Sequence, residues 1–311
     1  MIINSNFNVA WWCRNRHLQT LYPTFFRKPL TLKLYDEILE LPDGDFLELS
    51  WTEKKPSRPI IILLHGLEGS INSPYAKGIL KTIYDMGWQG VLMHFRGCGT
   101  QHNRLDRSYH SGETGDLNTF ITTLNSRFPD QAIAAIGVSL GGNVLLKYLG
   151  EKKENSNLFA AMAISVPFDL ADGARQLDTG LSKTYQKHLI DHLRHKMKDK
   201  FKGKAAPVDM DKIDKWRDFF SFDNNVTASI HGFKDVNDYY TQSSSKQFLK
   251  HITTPTLILH SKDDPFMTQE SIPTEDELSP SITLELARHG GHVGFIYGKQ
   301  FNENYWIEKR L

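Results

Sequence analysis

A serine hydroxyl does chemistry only when it is exposed, aimed and deprotonated on demand, and Gly137-Val138-Ser139-Leu140-Gly141 has the form that exposes and aims one. It matches G-x-S-x-G. Ala132–Ile136 before it is an apolar run of strand length, and Gly142–Leu149 behind it has helix-forming residues in helical order. Strand, sharp turn and helix are the context in which this motif presents a serine at the carboxyl edge of a sheet. The flanking glycines keep side chains out of a strained turn that lies against strand and helix. The helix start directs free N–H groups and its positive dipole end to the same place.

Such a serine needs a base, usually histidine, and the base needs a carboxylate to fix its tautomer and stabilise the imidazolium. In one large class of hydrolases the order is Ser, Asp, His, each after a strand. Here Thr256–His260 is followed by Ser261-Lys262-Asp263-Asp264-Pro265, and Ser281–Leu286 by His289-Gly290-Gly291-His292. Asp264, three positions after a small residue, is preferred as the acid over Asp263. His292, between Gly291 and Gly294, is preferred as the base over His289. An Asp before Pro can simply cap a helix, and a histidine in a glycine loop often just faces solvent. All three types in order, each after a strand, point instead to one site. Attack on a carbonyl also needs backbone N–H groups for the oxyanion. Leu140 supplies one, directly after the serine. Leu67 in His65-Gly66-Leu67 supplies the other, although His65-Gly66 also reads as a plain strand-ending turn.

The elements that must position these residues are legible as periodicities. Pro42-Asp43-Gly44-Asp45 turns a hairpin between Glu37–Leu41 and Phe46–Trp51. Pro59–Leu64, Gly90–Phe95 and Phe159–Ser165 are apolar runs typical of central parallel strands. Pro74–Met86 and Gly115–Phe128 read as helices between them, and Phe301–Arg310 as a closing helix. Alternating strands and helices make a mostly parallel, doubly wound α/β sheet with flanking helices. Met1–Leu30 is aromatic-rich and irregular, so residues 1–34 are expected to form an arm over a single domain spanning 1–311.

Residues 168–250 break the alternation and are expected to be a helical cap insertion. Leu181, Tyr185, Leu189, Leu193, Met197 and Phe201 form one helical stripe. Lys183, Lys187, Arg194, Lys196, Lys198, Lys200, Lys202 and Lys204 lie between them. The basic face reads as a solvated outer surface, or as a weak contact with an anionic membrane surface.

In 311 residues, 37 basic side chains face 36 acidic ones, a net charge of +1 that offers nothing to nucleic acid. Two cysteines, Cys13 and Cys98, argue against a disulfide framework and fit a reducing cytoplasm. Signal-peptide and membrane-spanning patterns are absent, so a cytoplasmic protein is expected. There is no G-x-x-x-x-G-K-[ST], no H-E-x-x-H and no dinucleotide glycine pattern after Gly97-Cys98-Gly99. The reading therefore requires no cofactor and no metal, and it leaves the oligomeric state open.

Beyond these features, most of the chain resembles the YheT-like branch of the α/β-hydrolase superfamily, a group of esterases. The resemblance rests on Asn15-Arg16-His17-Leu18-Gln19-Thr20, Leu41-Pro42-Asp43-Gly44-Asp45 and His65-Gly66-Leu67-Glu68-Gly69-Ser70. It continues through His94–Cys98, Tyr109–Thr114 and Gly137–Asn143, then Lys262–Met267 and His289–Phe295. It implies the α/β-hydrolase fold and a serine esterase acting through Ser139, Asp264 and His292 on a small-molecule ester, short-chain or monoacylglycerol-like. A thioesterase or amidase would use the same triad, and a ligand-binding protein on the same fold would not need it. The motif Tyr109–Thr114 has no assigned chemistry: His110 and Glu113 either line the pocket or buttress the adjacent helix.

Overall fold

The computed structural model describes every residue except Pro56. One sheet is built from β1 (Ile2–Asn4), β2 (Tyr35–Glu40), β3 (Phe46–Trp51), β4 (Ile60–Leu64), β5 (Gln89–Met93), β6 (Ile133–Val138), β7 (Ala160–Ile164), β8 (Thr256–Ser261) and β9 (Ile282–Ala287). Their spatial order is β1-β9-β8-β7-β6-β4-β5-β3-β2. Every pair from β1 across to β5 is parallel, while β3 and β2 continue the sheet antiparallel. β4 and β5 are buried along their whole length, which is why they read as unbroken apolar runs rather than alternating ones. A separate antiparallel ribbon joins β10 (Ile296–Lys299) to β11 (Asn302–Tyr305).

The helices are α1 (Arg16–Phe26), α2 (Ala76–Asp85), α3 (Gly115–Arg127), α4 (Leu140–Lys152), α5 (Leu170–Leu177), α6 (Ser182–Lys200), α7 (Phe219–Phe222), α8 (Ala228–His231), α9 (Val236–Ser243) and α10 (Trp306–Arg310). Apolar clusters cover both sheet faces, with Leu117, Phe120 and Leu124 of α3 on one side and Ile79, Leu80 and Ile83 of α2 on the other. Helices α5 to α9 lie in sequence between β7 and β8 and close around a cluster of their own, including Tyr185, Met197, Phe219 and Tyr239.

Three local expectations are corrected. Met1–Leu30 is not irregular: β1 pairs with β9, Ile2 opposite Leu284, and α1 follows. The Asn15 side chain caps α1 by accepting from the N–H groups of His17 and Leu18. Phe301–Arg310 is helical only from Trp306, because Phe301 takes a positive φ of 63° in the turn that leads into β11. Lastly, the basic face of α6 is solvated only in part: Lys183, Lys187 and Lys198 are exposed. Lys183, Lys187, Arg194 and Lys198 pair with Asp178, Asp191 and Asp214, and Lys196 and Lys200 turn inward. The apolar stripe was legible, but its inward cations were not, since their partners lie far off in sequence.

Candidate active site

The turn between β6 and α4 holds Ser139 at φ 53° and ψ −119°, a conformation that a side chain rarely adopts without support. Support comes from the Ser139 N–H, which donates to the carbonyl of Ile164 at 2.8 Å. The motif's glycines follow from the close approach of backbone. A Cβ at Gly141 would sit 2.6 Å from the carbonyl oxygens of Leu64 and His65, and one at Gly137 would sit 2.4 Å from the carbonyl of Gly141.

Ser139, His292 and Asp264 come together although they are far apart in the chain. Ser139 Oγ lies 2.9 Å from His292 Nε2, and His292 Nδ1 lies 2.9 Å from Asp264 Oδ2. With Nδ1 protonated, the ring donates to Asp264 and accepts from Ser139, the tautomer a general base needs. Asp264 is 3% exposed, and its other oxygen accepts the N–H of Phe266 at 2.8 Å. The Phe266 ring lies parallel to the imidazole, 3.9 Å between centroids, and limits its tilt. Thr20 of α1 accepts the backbone N–H of His292 at 2.9 Å, so the N-terminal segment helps to hold the loop.

Asp263 and His289 form a different pair. Asp263 accepts from His289 Nδ1 at 3.1 Å and from the N–H of Gly291 at 3.0 Å, bracing the glycine turn that carries His292. Gly291 has φ +57°, and a Cβ there would meet the carbonyl of Arg16 at 2.5 Å.

Leu67 and Leu140 both border the cavity that contains Ser139 and His292. A Cβ at Gly66 would lie 3.3 Å from Ser139 Cβ, so the loop after β4 runs directly over the serine. His65 anchors its start. Its Nε2 accepts the N–H of Phe95 at 3.1 Å and its Nδ1 donates to the Gly66 carbonyl at 2.7 Å. Complete burial pushes its pKa down to about 3, so it stays neutral as a structural peg.

The next residue but two, Glu68, takes a positive φ of 52°. Its N–H donates to the Tyr109 hydroxyl at 2.8 Å, and that hydroxyl donates to Glu68 Oε1 at 2.8 Å. Lys196 of α6 donates to the same oxygen at 2.7 Å and stands 2.9 Å from Cys98 Sγ. Burial alone would lower the Lys196 ammonium, but the Cys98 sulfur and the Glu68 carboxylate hold it above its ordinary value. Glu68, Tyr109 and Lys196 were absent from the residues singled out for chemistry. The available signals were the unassigned Tyr109–Thr114 motif and the place of Glu68 in His65–Ser70.

That motif packs against the site in both expected ways. His110 borders the cavity, while Glu113 pairs with Arg107 and accepts the N–H of Gly115 at 3.0 Å where α3 begins. Gly112 is required because a Cβ there would meet Ser243 at 2.4 Å. The Asn143 amide of α4 donates to the carbonyls of Ser111 and Ser243, both at 2.8 Å, tying the motif to the serine helix.

Two cavities meet at Ser139. One runs beneath α5–α9 between apolar walls that include Leu177, Leu193, Phe222 and Val226. It reaches Asp223, which sits in a single π-helical turn, Asp223–Thr227, between α7 and α8. Asp223 accepts from Thr227 at 2.6 Å and Tyr240 at 2.8 Å, and burial pushes its pKa up to about 6. The other cavity is a groove bordered by Leu21 and Phe25 of α1, by Tyr75 and by Leu181. Among the described residues no cluster of three or more His, Cys, Asp or Glu has the form of a metal site. No described helix is long and apolar enough to cross a membrane.

Comparison with known proteins bears on this geometry. The family model of the alpha/beta hydrolase fold matches residues 59–299. The chain is 41% identical over 302 residues to the Escherichia coli (strain K12) protein named "Putative esterase YheT", covering 96% of this chain and 89% of that one. It is 29% identical over 307 residues to the Homo sapiens "Phospholipase ABHD3", covering 96% and 75%. With the Saccharomyces cerevisiae "Monoacylglycerol lipase" it shares 30% over 251 residues, covering 77% and 55%. Among solved structures, the Pyrococcus furiosus esterase Pf2001 matches the fold with a TM-score of 0.56 at 16% identity, over 86% of this chain and 88% of that one.

Proposed function

The chain belongs to the α/β-hydrolase family and is a carboxylic ester hydrolase, and on that premise we propose that Ser139, His292 and Asp264 form its catalytic triad. The observation that carries the proposal is the continuous chain of two 2.9 Å contacts from Asp264 through His292 to Ser139 Oγ.

In the first half-reaction His292 Nε2 takes the hydroxyl proton as Ser139 Oγ bonds to the ester carbonyl carbon. The carbonyl oxygen becomes an oxyanion held by the N–H groups of Leu140 and Leu67, each such donor being worth about 2.7–4 kcal/mol of barrier. The intermediate collapses, the bond to the alcohol oxygen breaks, and the alcohol leaves with the proton from His292. Water then gives its proton to the same nitrogen, attacks the acyl-enzyme and releases the acid while Ser139 regains its proton. Asp264 orients the ring and stabilises the imidazolium in both halves.

The two cavities divide the substrate. The cavity beneath α5–α9 takes the acyl chain along Leu177, Leu193, Phe222 and Val226, and the groove along α1 takes the alcohol. This arrangement suits short-chain or monoacylglycerol-like esters. It is supported by relatives named for phospholipase and monoacylglycerol lipase activity. Tyr109 and Lys196 act as positioning residues: by holding Glu68 they hold the neighbouring Leu67 N–H in place.

The test is hydrolysis of p-nitrophenyl esters of graded acyl length, with a thioester and a monoacylglycerol alongside. Ser139→Ala is expected to lose at least ~10³-fold and Asp264→Asn about 10⁴-fold, while Asp263→Asn keeps most of the activity. A Ser139→Ala variant as fast as the parent would remove the nucleophile from the scheme.

A further inference from the structure

Helix α1 is amphipathic with its apolar stripe on the outside. Its inner face is fixed by Gln19, which is fully buried: its amide donates to the Cys13 carbonyl at 2.7 Å and to the Ile296 carbonyl at 3.2 Å, and accepts the Ile296 N–H at 2.7 Å. Tyr22 and Pro23 are buried beside it. On the adjoining face Leu18, Leu21 and Phe25 fall at i, i+3 and i+7 and all are exposed, Phe25 at 70%. Phe26, whose ring lies 6.4 Å from that of Phe25, is 61% exposed, and Trp11, in the turn that precedes α1, is 75% exposed. A stripe of this spacing normally faces a core, and a contiguous exposed patch of large apolar side chains marks an interaction surface.

The acids that face α1 from other elements are Glu308, which is paired with Arg27, and Glu303, which acts on Tyr22; the charge of the N-terminal segment itself says what kind of surface it meets. No Asp or Glu occurs before Asp36, whereas Arg14, Arg16, Arg27, Lys28 and Lys33 all do. Arg27 is consumed by Glu308, but Arg14, Arg16, Lys28 and Lys33 are exposed, with Arg14 and Lys28 just beyond the two ends of the stripe. A second copy meeting this face symmetrically would bring like charges together. An anionic lipid surface would neutralise them while the aromatics enter the headgroup boundary. Position strengthens the point, because Leu21 and Phe25 also border the groove that leads to Ser139 and His292.

We propose that the outward face of α1, with Trp11 and Phe26, docks the protein on an anionic lipid surface and sets the groove mouth against it. The contact thus belongs to α1 rather than to the basic helix α6, whose exposed Lys187 and Lys198 each sit beside an Asp that offsets their charge. Delivery of an ester along the groove rests on the esterase reading, whereas docking does not.

The experiment is co-sedimentation of the full chain with phosphatidylcholine vesicles, with and without phosphatidylglycerol. Binding is expected only with phosphatidylglycerol, weakening as salt is added, with a blue shift of tryptophan emission that Trp11→Phe abolishes. Arg14→Ala/Lys28→Ala should cut partitioning by at least ~tenfold, and Leu18→Ser/Phe26→Ser should do the same, with melting temperatures near the parent's. Ser139→Ala should bind as the parent does, which separates docking from catalysis. Equal binding to neutral vesicles, no binding at all, or a dimer in solution that Leu18→Ser/Phe26→Ser dissolves would each overturn the proposal.

Discussion

Tyr109 and Glu68 close a ring of two hydrogen bonds, the Glu68 N–H donating to the Tyr109 hydroxyl and that hydroxyl donating to the Glu68 carboxylate, each at 2.8 Å. The ring spans residues 41 apart in sequence and pins a backbone at positive φ directly after Leu67. The unassigned Tyr109–Thr114 motif thereby acquires a purpose: it fixes the loop that lies over Ser139.

Removing the ring tests that purpose. Tyr109→Phe keeps the ring that stacks on Phe95, 5.2 Å between centroids, and deletes only the hydroxyl. With the Leu67 donor loosened, kcat is expected to fall about ten- to hundredfold while KM changes by less than about threefold, because an oxyanion contact is made fully only in the transition state. Lys196→Met should act in the same direction and Lys196→Arg should restore most of the rate. Loss confined to KM, or to thermal stability, would mark the network as scaffolding alone.

Asp223 gives a pH-dependent prediction. Burial raises its carboxyl from the ordinary 3.8 to about 6, so the folded state holds its proton more tightly than the unfolded chain does. The resulting stability is fully present below about pH 4 and is lost as pH rises through about 6. Asp223→Asn, which does not titrate, should gain on the parent over that window by up to roughly 3 kcal/mol, then run parallel to it. Denaturant melts across pH 4 to 8 measure this, and a constant difference between the two proteins would contradict it.

The three residues proposed as the triad were legible because each follows a strand of one sheet, and strands of Val, Ile, Leu and Ala declare themselves locally. Ser139 came with its own turn chemistry, and Asp264 and His292 followed from chain order. Asp263 and His289 stood equally close in sequence, and only the fold separates them: they brace the loop that Asp264 and His292 serve. What stayed hidden depends on long-range contact. β1 is three residues long and acquires its strand character from β9, some 280 residues away. Pro23 inside α1 obscured a helix that Asn15 in fact caps. Lys196 looked like one more solvated cation of α6 until its partner, Glu68, was placed 128 residues away in sequence beside it.

The most direct measurement is the site of covalent capture. A fluorophosphonate probe presents a phosphorus that mimics the tetrahedral intermediate and leaves a stable bond on the attacking oxygen. Incubated with the intact protein and mapped by peptide mass spectrometry, it should yield one adduct, on Ser139, formed slowly in Asp264→Asn and not at all in Ser139→Ala. An adduct recovered on any other residue, or labelling that persists in Ser139→Ala, would contradict the account at its centre.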